Sequence, residues 1–549
     1  MATQFETSFT GYGPNLDKVL AQPVIHIDPD VSESGDGTLE APYKSWTDAA
    51  AKLTSGARNF VQKAGTTDVL PGDFTFSPPY DRYYFGSYGA GEKPLITKEN
   101  LTNSSPNATI FSLNSRQNVS FENIRFSLVN CAGIYLSSSW QTARGLRVTN
   151  CDFTLRSTGL LLKPNGGIAE VSGINFYASG SHTHADCVID GCTFTSDDPV
   201  THYTVNGWKT VGIYGIFYQT ITDLTVSNCR FYKLTGDGLN FFVERNKIGA
   251  LDIPTGMMIT DNSFEKVYGS PLSNRFGMKS VAGHESAILR NTFINVGHPD
   301  TPNINCIQGQ NLHDVEIAYN YIDGVTTSAP DGAGIILDFA VGSLEHMSKG
   351  CKVHHNKIRR CRSLGSHAAA GISVYVAQDS LVYANDIFDC ESGVALGKRQ
   401  NTGTKVFNNT VRGCGQAFYV GDYPNNIGSS LDLLANNIAR DCRLVVRSSN
   451  SSVVAASRNN YFFNCCAISN DGSFRPYIKY PDHVGDDIVD KDPVAADVSA
   501  ENGWILAEAS PCVGAGASLA EYSEADTASF GLNGAPLSNP PTVGAWQPE

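Results

Sequence analysis

ILRNTF at residues 288–293, IAYNYI at 317–322, VHHNKI at 353–358 and VYANDI at 382–387 are versions of one phrase, and reading it decides the fold. Apolar residues flank an Asn, with strand-like alternation on either side. Working outward, the phrase returns as ITDNSF, VFNNTV, LLANNI and ASRNNYF, and towards the N-terminus as VSNCRF, VTNCDF and VSFENIRF. Taking the Asn as anchor gives Asn123, Asn150, Asn228, Asn262, Asn291, Asn320, Asn356, Asn385, Asn409, Asn437 and Asn460, with a degenerate copy, VIDGCTF, around Gly191. The spacing is irregular, roughly 30 residues, and self-similarity at such a period marks a solenoid.

The alternation has strand periodicity, and Val, Ile, Phe, Thr and Tyr suit a pleated, half-buried surface. A second column keeps the same phase. Five residues after the anchor come Val267, Val296, Val325, Cys361, Cys390, Cys414, Cys442 and Cys465, so insertions between copies loop outwards. Asn tolerates the left-handed conformation of a tight turn, and its amide can bond to the Asn of the next coil. A third strand, Gly-Ile-x-Leu, follows in GIYL at 133, GLLL at 159, DGLNFF at 237, GIILDF at 334, GISVYV at 371 and GVAL at 393. Three short strands per turn predict an all-β fold, a parallel β-helix of about a dozen coils. The crossover rule makes it right-handed.

Residues 1–22 read as an arm, 23–116 as an N-terminal cap and first coils, 117–470 as the β-helix and 471–549 as an irregular C-terminal cap. Trp46, Ala49, Ala50 and Leu53 give a helix near 45–53 one apolar face, suited to covering the open edge of the first coil. A net charge of −14 disfavours nonspecific nucleic-acid binding. No run of about 18 apolar residues predicts a membrane span. The N-terminal residues show no basic start with an apolar stretch, so no signal peptide is visible. Many of the 14 Cys fall in inward columns and read as reduced, buried hydrophobes.

The opening Asp28-Pro-Asp with GDGTLEAPYKSW, the FGSYGAGEKPLI segment, the Asn-anchored coils and the closing SPCVGAGA and VGAWQPE resemble right-handed parallel β-helix proteins of the pectate-lyase-like superfamily. The resemblance implies polysaccharide cleavage or epimerisation. It extends to bacteriophage tailspike depolymerases, which implies an extracellular or virion-associated homotrimer. The catalytic signatures of polygalacturonases, mannuronan epimerases and typical pectate lyases are absent, so no catalytic residue carries over.

Outward positions of the Gly-Ile-x-Leu strands would line a groove for an extended polymer. They are Tyr135, Lys163, Phe217, Asn240, Phe242, Glu244, Lys279, Gln308, Gln310, Asp338, Ser373, Tyr375 and Lys398. Aromatic faces stack on sugar rings, while amides and carboxylates hold hydroxyls. Asn240, Phe242, Gln308, Gln310, Tyr375, His284 and Arg275 are therefore expected to bind substrate. Hydrolysis needs two carboxyl groups flanking the bond, for which Asp237 with Glu244, or Asp331 with Asp338, are the expected pairs. Glu244 and Asp338 themselves lie three coils apart. β-Elimination on a uronic acid needs a base and a cation, and Lys279 is the candidate base, with Arg275, His284 and Arg245 beside it. Hydrolysis is slightly preferred. A non-catalytic glycan-binding fibre or adhesin and a sugar epimerase are the alternatives. No cofactor or metal is expected: His182, His184, Asp186 and Cys187 have ligand chemistry but lack a second ligand group nearby.

Overall fold

The computed structural model describes residues 23–99, 108–158, 170–178, 182–197, 209–217, 221–243, 253–275, 277–328, 332–339, 346–363, 369–397, 401–420, 430–448, 453–468, 474–476, 488–489, 492–497, 505–518 and 542–545. The chain divides into two compact units, residues 1–236 and 237–549. Each is a stack of parallel coils contributing one strand apiece to three ladders, here called sheets A, B and C. The fold is a parallel β-helix.

In the first unit the short helix Trp46–Ala49 continues as a 3-10 turn, Ala50–Ser55, with Ser45 capping it by accepting from the Asp48 N–H. Trp46 is buried, and its ring packs against Phe60, Phe76, Phe85 and Phe111. Its indole N–H donates to Gln62 at 2.7 Å and its backbone N–H to Asp68. The predicted capping helix therefore closes the first coils with an aromatic plug. Further along, Phe126, Phe153, Phe194 and Phe231 stack at 4.8–4.9 Å inside sheet B, one ring per coil.

In the second unit sheet A pairs Met258–Thr260, Ala287–Leu289, Glu316–Ala318, Lys352–His354, Leu381–Tyr383 and Thr404–Phe407 in order. The anchor Asn follows each sheet A strand. From Asn262 to Asn437, each anchor's backbone N–H and Nδ2 both donate to Oδ1 of the next anchor, at 2.9–3.1 Å. This ladder ends on Asn460 and is fully internal.

The anchor column is two columns offset by one residue, which corrects the single column read from sequence. In the first unit Asn123, Asn150, Gly191 and Asn228 occupy the left-handed turn position themselves. In the second unit that position belongs to the preceding residue, Asp261, Arg290, Tyr319, His355, Ala384, Asn408, Asn436 or Asn459. The inward slot filled by the Asn ladder is held in the first unit by Ile124, Cys151, Cys192 and Cys229, all buried. The Ile124, Cys151 and Cys192 carbonyls accept the same inter-coil bonds: Thr193 donates to Cys151 as Thr292 donates to Asn262. The Cys151, Cys192 and Cys229 thiols donate to nearby carbonyls. An apolar turn and an amide turn thus solve the same corner. The thirteen cysteines whose side chains are described are free thiols.

Sheet C of the second unit runs Leu239–Val243, Leu272–Asn274, Ile307–Gln310, Ile335–Asp338, Ala370–Val374, Ser392–Leu396, Gln416–Val420 and Leu444–Ser448. The Gly opening these strands is required by close approach. A Cβ on Gly334 would lie 2.7 Å from the Gly371 carbonyl, and one on Gly393 would lie 2.5 Å from that of Ala417. A small fourth sheet follows sheet C: Met278–Lys279, Leu312–His313, Ser348–Lys349 and Ala377–Gln378. Near the C-terminus, Cys512, Val543 and Ala545 pack on Ile438, Tyr461 and Leu506. Asn436 exchanges hydrogen bonds with Ala517, and Tyr461 donates to the Pro511 carbonyl.

Candidate active site

Sheet C of the second unit directs two columns outward. The first is Asn240, Ser273, Gln308, Ile336, Ser373, Ala395 and Tyr419, in register coil by coil. Of these Ser273, Gln308, Ile336, Ser373 and Ala395 are buried, so that Gln308 is covered where the sequence predicts a substrate contact. The second lies two residues on, at the strand ends, and includes Arg275, Gln310, Asp338 and Tyr375. Gln310 and Asp338 are direct register partners, and Gln310 Nε2 donates to Asp338 Oδ2 at 3.4 Å. Asp338 Oδ1 accepts the Phe339 N–H at 2.8 Å. The carboxylate is thus held half-buried and aimed along the row.

Each neighbour is fixed by its own backbone chemistry. Asn274, fully buried, bridges to both the N–H and the carbonyl of Gly277, a clamp that leaves Arg275 exposed. Asn401, also buried, donates to the Val374, Tyr375 and Gly397 carbonyls and accepts from Ala377, which fixes the turn after Tyr375. Gln308 accepts from the Ser273 hydroxyl at 3.3 Å.

The small sheet adds a row that sequence reading only half found. Lys279 pairs with His313, His313 with Lys349, and Lys349 with Gln378. Three basic side chains therefore stand on successive coils, about 4.8 Å apart as in any ladder. Ser348 ties this row to the first: its hydroxyl donates to the Asp338 carbonyl at 2.8 Å and accepts the Leu312 N–H. Lys279 is pinned by its N–H on the Pro254 carbonyl and its own carbonyl on Ser286. His313 sits 3.0 Å from Asn311 Oδ1. Burial, then the charges of Lys349 and Lys279, hold its pKa below the ordinary histidine value. It is therefore a neutral imidazole at pH 7, in register between Lys279 and Lys349. His313 and Lys349 escaped the sequence reading although each stands seven residues before its anchor, Asn320 and Asn356; Lys279, twelve before Asn291, is out of that phase and hides the column.

Other expected residues lie elsewhere. Asp237 is buried, and both its oxygens are engaged, by Asn240 Nδ2 at 2.5 Å and the Ser270 N–H at 2.7 Å. Asn240 is thereby a partner of that turn. His284 is exposed in the Val281–His284 turn that follows the small-sheet strand. Glu244, Arg245, Asp331, Lys163 and Lys398 lie outside the described residues, and only the backbone of Phe217 and Phe242 is described. His184 and Cys187 are fully buried while Asp186 pairs with Arg144 at 3.1 Å, so that run is divided between interior and surface. No group of three metal-ligating side chains occurs among the described residues. No helix among them is long and apolar enough to cross a membrane.

No family model matches this chain, and no curated protein matches it. Solved structures similar to it include the pectate lyase Pel9A, at 11% identity over 96% of this chain and 98% of the other, with a TM-score of 0.37. PfbA, a surface adhesin of Streptococcus pneumoniae, is 13% identical over 79% of this chain and 91% of its own, with a TM-score of 0.36. Tailspike protein 3 of bacteriophage CBA120 is 11% identical over 87% of this chain and 61% of its own, with a TM-score of 0.32.

Proposed function

We propose that the second unit acts on an acidic polysaccharide laid along the outer ends of sheet C, and cleaves it by β-elimination. The observation that carries this reading is the row Lys279, His313, Lys349 standing in register beside Gln310 and Asp338. Lys349 and the exposed Arg275 supply positive charge for a uronate carboxylate. Neutralising that carboxylate makes the adjacent C5 proton removable. Lys279, as its neutral amine, takes the C5 proton, a C4–C5 double bond forms, and the C4–O bond breaks with its electron pair leaving on O4, which takes a proton from solvent. Tyr375 and Gln310 supply a ring face and an amide for the neighbouring sugars.

The sequence preference for paired carboxylates weakens because Asp237, one member of the pair with Glu244, is spent on its own turn. The pair Asp331 with Asp338 stays as the hydrolytic alternative. A polymeric substrate is consistent with an extracellular or virion-associated protein, and the expected homotrimer is measurable by sedimentation. The test is product analysis after incubation with polygalacturonate, alginate and hyaluronan. Ultraviolet-absorbing unsaturated ends appear if the reading is right. New reducing ends without that absorbance mean hydrolysis. Binding without any product means an adhesin.

A further inference from the structure

The first unit has its own outward face on sheet C, and its chemistry differs from that of the row above. Its strands Thr109–Asn114, Ala132–Ser138, Glu170–Ala178 and Lys209–Phe217 pair in parallel. The outward residues in register are Ser112, Tyr135, Asn175 and Tyr214, then Asn114, Ser137 and Tyr177. Tyr135 and Tyr177 stack at 6.2 Å. None of these side chains is charged.

At the strand ends stands Trp140, 49% exposed. One side of its ring rests against the Arg116 guanidinium, 5.2 Å from the centroid. Its position is fixed from below. Buried Ser115 accepts the Trp140 and Gln141 N–H groups on its hydroxyl oxygen at 3.2 and 3.4 Å, and Gln141 Nε2 donates to the Ser115 carbonyl at 2.7 Å. The indole is therefore a pre-set platform, with the Arg116 guanidinium lodged against one side of it. Beside it, exposed Asn114 accepts through Oδ1 from the hydroxyls of Ser137, Ser139 and Ser115. Its amide nitrogen makes no hydrogen bond among the described residues, so two donors turn to solvent.

We propose that this face is a separate, non-catalytic binding site for a neutral glycan, with Trp140 stacking on a pyranose ring and the Asn114 amide donating to a ring hydroxyl. A flat ring beside hydroxyls and an amide, with Arg116 lying against one side of the ring, matches an uncharged sugar: its C–H face meets the indole and its hydroxyls meet the amide. A second copy of the chain would want an apolar surround, and the partners here are Ser and Asn. A ring on an anchored backbone and already resting against a guanidinium has less freedom to lose on binding.

The test uses the full chain and four neutral probes, cellohexaose, xylohexaose, maltohexaose and mannohexaose, followed by calorimetry and intrinsic fluorescence. At least one binds, Trp140→Ala weakens it about tenfold or more, and Trp140→Phe falls between. Lys279→Ala binds that probe as the wild type does, which separates this site from the proposed catalytic row. The proposal is overturned if no hexasaccharide binds, or if Trp140→Ala binds undiminished. It is also overturned if Trp140→Ala shifts the sedimentation coefficient, because the ring would then be a contact between copies.

Discussion

Asn356 shows what one residue does for the stack. Its N–H and Nδ2 donate to Asn385, Nδ2 also reaches the Ile317 and His354 carbonyls, and Oδ1 accepts twice from Asn320. Asn356→Ala takes the amide partner from the Asn320 N–H and the Ile317 carbonyl, while Asn320 Nδ2 keeps the Ile288 and Ala318 carbonyls, and each buried orphan costs about 1–3 kcal/mol. We expect a loss of about 3 kcal/mol or more, read as a lower denaturant midpoint at unchanged slope. Tyr319, His355 and Ala384 hold left-handed turns that their side chains disfavour, a cost the adjacent ladder offsets. His184 makes a second residue-scale case. Its imidazole is fully buried, and burial lowers its pKa from 6.5 to about 4. The unfolded chain binds this proton first as pH falls, so the native state loses stability between 6.5 and about 4. His184→Gln flattens that part of the stability–pH curve, measured as Tm at intervals across the window. Glu316 acts below it: a hydrogen bond from His354 holds its pKa under 4.5, so its contribution disappears only as pH falls beneath that value.

At the scale of the element, the repeat was legible because each coil must satisfy one corner and two inward columns. The alternation around Phe126, Phe153 and Phe293 showed directly which face is inward. The offset between the two anchor columns was not legible. Asn, Asp and Gly suit the turn position, and Asn suits the ladder slot, so VTNCDF and ITDNSF look alike although their Asn residues point to different places. The site was half legible for a related reason. Gln310 and Asp338 sit on strands with a clear pattern and Lys279 stood out by residue type, whereas His313 and Lys349 lie on two-residue strands too short to show alternation. The N-terminal helix was legible through its apolar face, and its role makes a prediction. Trp46→Ala removes the ring on which four Phe side chains converge, at a cost of about 3–5 kcal/mol. Hydrogen exchange should then accelerate in strands Val24–Ile27, Asn59–Lys63 and Thr67–Leu70 and leave the Asn ladder protected. Uniform acceleration throughout the chain would contradict that assignment.

On the scale of the molecule, a chain of net charge −14 gathers three bases on one short row. Its overall charge repels an acidic polymer at long range, so attraction must come from contact with that row. Salt at physiological strength screens beyond about 8 Å, which leaves the long-range repulsion weak and the local contacts partly intact. The measurement that bears most directly on this account is steady-state kinetics on a cleaved acidic polysaccharide and its carboxyl-reduced form, for wild type, Lys279→Ala and Lys349→Ala. The account predicts that Lys279→Ala lowers kcat by about 100-fold or more with little change in KM, as loss of a general base does. It predicts that Lys349→Ala raises KM for the acidic form, and that the reduced polymer is left uncut by all three. Kinetics of both variants matching wild type, or equal cutting of the carboxyl-reduced polymer, would contradict it.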